Sequence, residues 1–327
     1  MEIKVSKLKE VMDLMKTVVP KKPTVKSVAC LSLGNGKAVA TDLETMVVAN
    51  LPEAKEPMLL PYAAIAEMLK YVPGNENLKV EEKSKKIYLS WNGGNASYPT
   101  EDFRDFPIMP EMPVRAEGQI DGDILIAAML AALPYTAADT ARPVLSGVTL
   151  VLGNPIEVAA GDGFRMSHQV LGLSFPLEEK IIIPAHGVAI LDHVFAKTPR
   201  TPPATADSLI KVVTAKRQLR LALIGDNKLR LDFGTTAFVV INLIVGKPPE
   251  WLALIPKGEP VLQSQIFAPQ LEAAAKRVRT IAKDGSDIVR LEFADGKLKV
   301  SAKGDDQEIS ATMDTIHTQG EPGRTAL

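Results

Sequence analysis

Apolar positions along this chain repeat in three copies of one pattern. Leu8 to Val19, Ile124 to Leu133 and Leu271 to Ala282 each carry apolar residues at helical spacing. A short strand candidate follows each: Val28 to Leu33, Gly147 to Leu152, and Ile288 to Phe293. Then comes a turn, an alternating strand and a polar turn, over 36–42, 154–162 and 296–305. Thr41, Gly161 and Lys303 fall at matching places, 120 and 142 residues apart. The first two copies continue in parallel. Met58-Leu59-Leu60-Pro61 is matched 123 residues later by Ile181-Ile182-Ile183-Pro184. Helix candidates Tyr62 to Tyr71 and His186 to Phe195 come next, then strands through Leu78 to Tyr98 and Leu209 to Val245. The pattern predicts a strand, a helix and three strands, then the same again.

The fold class is therefore α+β with tandem repeats, and the expected modules are 1–117, 118–249 and 250–327. The third copy stops half-way, shortly after Gly320-Glu321-Pro322-Gly323-Arg324. Half a sheet leaves an apolar face and strand edges to be covered. Either the sequence is cut short there or something else covers that edge, and truncation is the expectation.

Composition narrows the function. The 327 residues hold 46% hydrophobic and 24% charged side chains, which are globular values. Formal net charge is −1, from 38 basic and 39 acidic residues, so this is not a bulk polycation. A single cysteine, Cys30, rules out an internal disulfide framework and a multi-cysteine metal site. The N-terminus lacks the apolar core of a signal peptide, and the uncharged run Ile124 to Ala138 is too short for a membrane span. A soluble cytoplasmic protein without membrane contact is expected.

Ala141 to Val148 followed by Ala160 to Met166 resembles the central domain of the bacterial DNA polymerase III beta subunit, the sliding clamp. Thr41-Asp42-Leu43-Glu44, Thr100 to Phe103 and Asp105-Phe106-Pro107 look like landmarks of its first domain, and Gly246 to Trp251 with Ile255-Pro256 looks like the linker into its third. The resemblance implies the DNA clamp fold: head-to-tail homodimeric rings of three similar domains per subunit, with helices lining a hole and sheets on the rim. It also implies a non-catalytic processivity factor without cofactors. Its partners would be double-stranded DNA contacted without sequence preference, a second copy of itself, the DNA polymerase III alpha subunit, the ATP-driven clamp loader and other proteins carrying a clamp-binding motif.

A sliding protein needs scattered cations and no recognition helix. Six lysines between Lys7 and Lys26, including Lys9, Lys16 and Lys22, face two acids, Glu10 and Asp13. In the third copy, Leu271, Ala275, Val278 and Ile281/Ala282 mark a buried stripe, leaving Lys276, Arg279 and Lys283 on the opposite face. Basic residues opposite an apolar stripe usually form a solvated face; the repeat context favours DNA here. The middle copy's first helix has no basic residue, so its DNA-side charge must come from Arg142, His186, Lys197 and Arg200. With 5% aromatics there is little for stacking on single strands.

The resemblance further implies a peptide groove built from Leu145, Gly161, Gly163, Phe164, Arg165, Met166, Pro249 and Leu254. Gly161 stands where the family commonly has threonine, and the family's C-terminal tail, which completes this groove, is missing from the sequence. The plainer reading of Asp162-Gly163 is a hairpin turn. For ring closure the resemblance points to Thr280, Ile281, Gln307 and Ile309 against Ser97, Phe103 and Phe106 of a second subunit.

Enzyme chemistry finds no support in the sequence. The four histidines, His168, His186, His193 and His317, are scattered and no metal set completes them. No phosphate-binding glycine loop occurs, and no histidine is placed to activate Cys30. Catalytic and metal residues are therefore none. Two other readings stay open: a divergent clamp-like replication accessory protein that binds clamp partners without encircling DNA, and an enzyme using the Asp162-Gly163 loop.

Overall fold

A computed structural model of the chain describes residues 1–108, 112–138, 141–198, 217–283 and 287–326. They form two compact units, Met1–Trp251 and Leu252–Leu327.

The first unit repeats one order of elements. β1 (Glu2–Lys4), α1 (Val5–Met15), β2 (Cys30–Gly34), β3 (Lys37–Thr41) and β4 (Thr45–Asn50) make one half-module. β5 (Met58–Pro61), α2 (Tyr62–Leu69), β6 (Asn77–Lys83), β7 (Lys86–Trp91) and β8 (Gly94–Pro99) repeat it. The same order runs through β9 (Val114–Asp121), α3 (Gly122–Ala132), β10 (Gly147–Leu152), β11 (Ile156–Gly161) and β12 (Met166–Leu171). It recurs in β13 (Glu179–Pro184), α4 (Ala185–Ala196), β14 (Gln218–Ile224), β15 (Lys228–Phe233) and β16 (Ala237–Asn242). β9 runs across the expected module boundary at 117/118 and pairs along its length with β14.

Local chemistry explains these elements. α1 buries Val5, Leu8, Val11, Met12 and Met15, an i, i+3, i+4 stripe that starts three residues earlier than the periodicity suggests. Asp121 caps α3 by accepting from the Asp123 and Ile124 amides at 3.1 and 3.4 Å. The β2–β3 turn places Asn35 at φ 52° and Gly36 at φ 71°, both in the left-handed region that a two-residue hairpin of this twist requires.

Each helix-bearing strand joins the three strands of the other half-module. The orders are β1-β6-β7-β8, β12-β11-β10-β13, and an eight-stranded sheet β5-β2-β3-β4-β16-β15-β14-β9. The long sheet exists because β4 and β16 pair antiparallel, with Ala49 opposite Ala237 and Thr45 opposite Ile241. Helix contacts run α1 to α2, α1 to α4 and α4 to α3, so the four helices form a row, α2-α1-α4-α3. One continuous apolar core lies beneath them, including Leu8, Met15, Leu31, Leu60, Met129, Leu150, Ile183, Leu221 and Phe233.

The second unit contains β17 (Leu262–Gln265), α5 (Ala268–Ala282), β18 (Arg290–Ala294), β19 (Lys297–Lys303) and β20 (Glu308–Asp314). Two further strands follow, β21 (His317–Gly320) against β17 and β22 (Gly323–Ala326) against β18. β22 pairs with β18 as β5 pairs with β2 and β13 with β10. Ala274, Val278, Ala282, Leu298, Val300, Ala302 and Met313 form a small core of its own. The α5 stripe passes through Ala274 and leaves Ala275 exposed, one position off the sequence expectation.

Candidate nucleic-acid interface and partner pocket

The expected DNA-side cations are placed unequally. Lys16 and Lys22 are exposed, whereas Lys9 Nζ donates to the Val72 carbonyl at 2.9 Å, beyond the end of α2. On α4, His186 Nε2 lies 2.9 Å from Asp42 Oδ2. That hydrogen bond raises the His186 pKa. Burial alone would push the Asp42 carboxyl up, but the bonds from His186, Thr45 and Glu44 together hold it below its ordinary value. Lys197 Nζ sits 2.5 Å from Asp13 Oδ2, and this hydrogen bond is the main cause of Asp13's lowered pKa. His193 Nε2 meets the Asp13 carbonyl oxygen at 2.6 Å. The Lys197 and His193 contacts fasten the C-terminal end of α4 to Asp13 of α1, and each of His186 and Lys197 has a carboxylate partner. The exposed positions of α3 are Ile124, Ala127 and Ala131, none of them charged. Arg200 lies outside the described residues. On α5, Lys276, Arg279 and Lys283 are all exposed, and Lys276 Nζ is 2.5 Å from Glu272 Oε1.

Four of the expected pocket residues cluster around the end of β11. Gly161 is buried, Leu145 is buried, Met166 is half-buried, and Arg165 leans over the Tyr135 ring at 5.6 Å. Phe164 is 97% exposed. Leu254 belongs to the second unit and is exposed, and Pro249 is half-buried. Sequence reasoning missed Trp251 as a pocket residue. It packs on Leu145 and Ala159 beside Ala137, Val144 and Met166. The glycine at 161 was the signal, because a missing side chain leaves space that something must fill.

Asp162 and Gly163 make a tight turn. The Asp162 carboxylate accepts from the Phe164 and Arg165 amides at 2.9 and 3.0 Å and from Arg165 Nε at 3.0 Å. Those bonds, the Phe164 amide first, hold its pKa at about 2. Gly163 has φ +98°, and Arg142 donates to the Asp162 carbonyl at 3.2 Å. A carboxylate so occupied serves the turn. Cys30 is buried beside Leu59 and Phe106, and burial pushes its thiol up to about 11.

Of the ring-closure residues, Ser97 is exposed on β8, an edge strand, and Gln307 is exposed just before β20, also an edge. Thr280 is exposed, while Ile281 and Ile309 are half-buried. Phe106 is only 6% exposed and Phe103 packs beside it, so both fill their own module.

Known proteins of similar sequence are beta sliding clamps. Over 268 residues, 81% of this chain, it is 24% identical to the beta sliding clamp homolog GriR of Streptomyces muensis, a match spanning 66% of that protein. Over 289 residues it is 22% identical to the beta sliding clamp of Pseudomonas putida, covering 86% of this chain and 73% of that one. Along most of its length the chain is thus similar to beta sliding clamps, at a divergence of 22–24% identity. Its fold is that of the Thermotoga maritima DNA polymerase III beta subunit, with a TM-score of 0.82 at 19% identity, over 99% of this chain and 86% of that one. No family model matches the sequence. Among the described residues no helix is long and apolar enough to cross a membrane, and no three His, Cys, Asp or Glu side chains converge as a metal site.

Proposed function

We propose that this chain is a sliding clamp: a non-catalytic, cytoplasmic processivity factor that closes into a ring around duplex DNA and tethers the replicative polymerase. The β4–β16 junction carries this reading. β4 is the last strand of one half-module and β16 the last strand of another, and their pairing extends the sheet from module to module. β8 and β20 are last strands of the same kind, and each is an open edge. Pairing β20 of one copy with β8 of another repeats the junction head to tail and generates a closed ring. Ser97, Gln307 and Ile309 lie at those edges. The row of helices would form the inner wall, with Lys16, Lys22, Arg279 and Lys283 holding phosphates loosely. Polymerase, loader and other clamp-binding peptides would dock at the Leu145–Met166 pocket. The three modules would follow the expected 1–117, 118–249 and 250–327, with the first boundary moved ahead of β9 and the second just past Trp251.

The test is topological. After loading by an ATP-driven clamp loader, the protein should stay on closed-circular duplex and run off the same DNA once linearised. Equal loss from both forms, with no dimer in solution, rejects the ring.

A second reading draws on the uncharged α3 face and the acid-paired His186, Lys197 and Lys276: a clamp-like accessory protein that binds clamp partners without encircling DNA. It predicts binding of the polymerase peptide with no difference between circular and linear duplex.

A further inference from the structure

Gly161 ends β11, and a Cβ placed on it would lie 2.7 Å from Cζ3 and 3.2 Å from Cη2 of Trp251. Its backbone is that of an ordinary strand, so space alone forbids a side chain. Trp251 fills the opening and is 7% exposed, walled by Leu145, Ala159 and Met166. Its indole N–H is buried, yet among the described residues it meets no acceptor. Buried tryptophans of a permanent core ordinarily satisfy that donor. The chain also leaves the core at this point: Trp251 ends the first compact unit, and residues 252–261 are exposed. The indole is thus a well-packed apolar group with an unsatisfied polar atom, followed by an exposed segment.

We propose that Trp251 is a built-in, displaceable occupant of the apolar pocket opened by Gly161, and that an apolar side chain of a partner peptide enters by exchanging with it. This rests on reading the pocket as the partner groove. Exchange lowers apparent affinity by the fraction of molecules in which Trp251 is withdrawn, so the pocket rejects weak apolar ligands. An extended peptide backbone brings carbonyl groups that the released indole N–H can meet. Gly161 makes the arrangement possible, since any side chain there would claim the space of the ring.

The chain has two tryptophans, and a Trp91→Phe background leaves Trp251 as the sole indole reporter. The probe is N-acetyl-leucyl-phenylalanine amide, followed by the nitrogen-15 indole resonance. We expect saturation to move that resonance to a solvent-exposed position. Trp251→Ala should bind the probe about tenfold tighter or better, measured by calorimetry. Gly161→Ala keeps the indole but displaces it, so its resonance should be solvent-exposed without any probe and open to acrylamide quenching. The proposal fails if Trp251→Ala binds no tighter, if neither protein binds, or if the resonance of Gly161→Ala stays buried. Dimerisation of the same variants in solution, measured by sedimentation, involves the strand edges and needs no open pocket. Its persistence alongside failed exchange removes the occupant and spares the ring; its absence removes the ring.

Discussion

Asp42 and His186, 144 residues apart in sequence, meet at 2.9 Å where the β3–β4 turn of one module touches the first turn of α4 in the next. The His186 pKa is raised, so its contribution is fully present below the unfolded value of about 6.5 and is lost as pH rises through the folded value. The Asp42 pKa is lowered, so its contribution is present above about 3.9 and is lost as pH falls through the folded value. The pair therefore helps most between about pH 4 and 6.5. His186→Gln should lower the urea midpoint at pH 5.5 and change little at pH 8.5. With the imidazole 57% exposed, screening keeps the difference below about 1 kcal/mol.

Arg217 joins three elements. Its Nε and terminal nitrogen reach Asp123 Oδ1 at 3.0 and 2.6 Å, its other nitrogen donates to the Phe195 carbonyl at 3.0 Å, and its guanidinium stacks on the Phe195 ring at 3.7 Å. Arg217→Ala should cost about 2 kcal/mol in chemical denaturation. Arg217→Lys should recover less than half, because an ammonium cannot fork and stack at once.

Leu298 is fully buried in the small core of the second unit, with Val278 and Val300. Leu298→Ala should cost about 3 kcal/mol there. Trp91 and Trp251 both lie in the first unit. The circular-dichroism melt should therefore acquire an early transition while the tryptophan-fluorescence melt keeps its midpoint.

On α5, Arg279→Ala and Lys283→Ala should each reduce the slope of log affinity against log salt by about 0.9 for duplex DNA. Lys276→Ala should reduce it by less, since Glu272 already neutralises that ammonium. Equal effects from all three would show that the ion pair does not survive in solution.

The repeated order of elements was legible because turn chemistry and periodicity agreed in each copy. Asn35-Gly36 and Asp295-Gly296 adopt the same left-handed pair of φ angles and close the same hairpin. Gly147–Leu152 is a strand over the very residues its pattern marks. Pairing between modules was not legible, because no local pattern says that Ala49 will face Ala237. Charge was misleading for a related reason. Sequence counts His186 and Lys197 as free cations, but their partners Asp42 and Asp13 come from a different module. The role of Trp251 lay beyond reach too, since a landmark in the linker gives no hint that its ring rests on Gly161.

The seam between β4 and β16 has a mechanical consequence. Five consecutive residue pairs, Ala49–Ala237 through Thr45–Ile241, stitch it shut, and the Asp42–His186 and Asp13–Lys197 contacts brace it from the helical side. A hinge there would have to tear backbone hydrogen bonds in a row. The first 251 residues should therefore move as one stiff body, and any hinge must lie somewhere other than at this join.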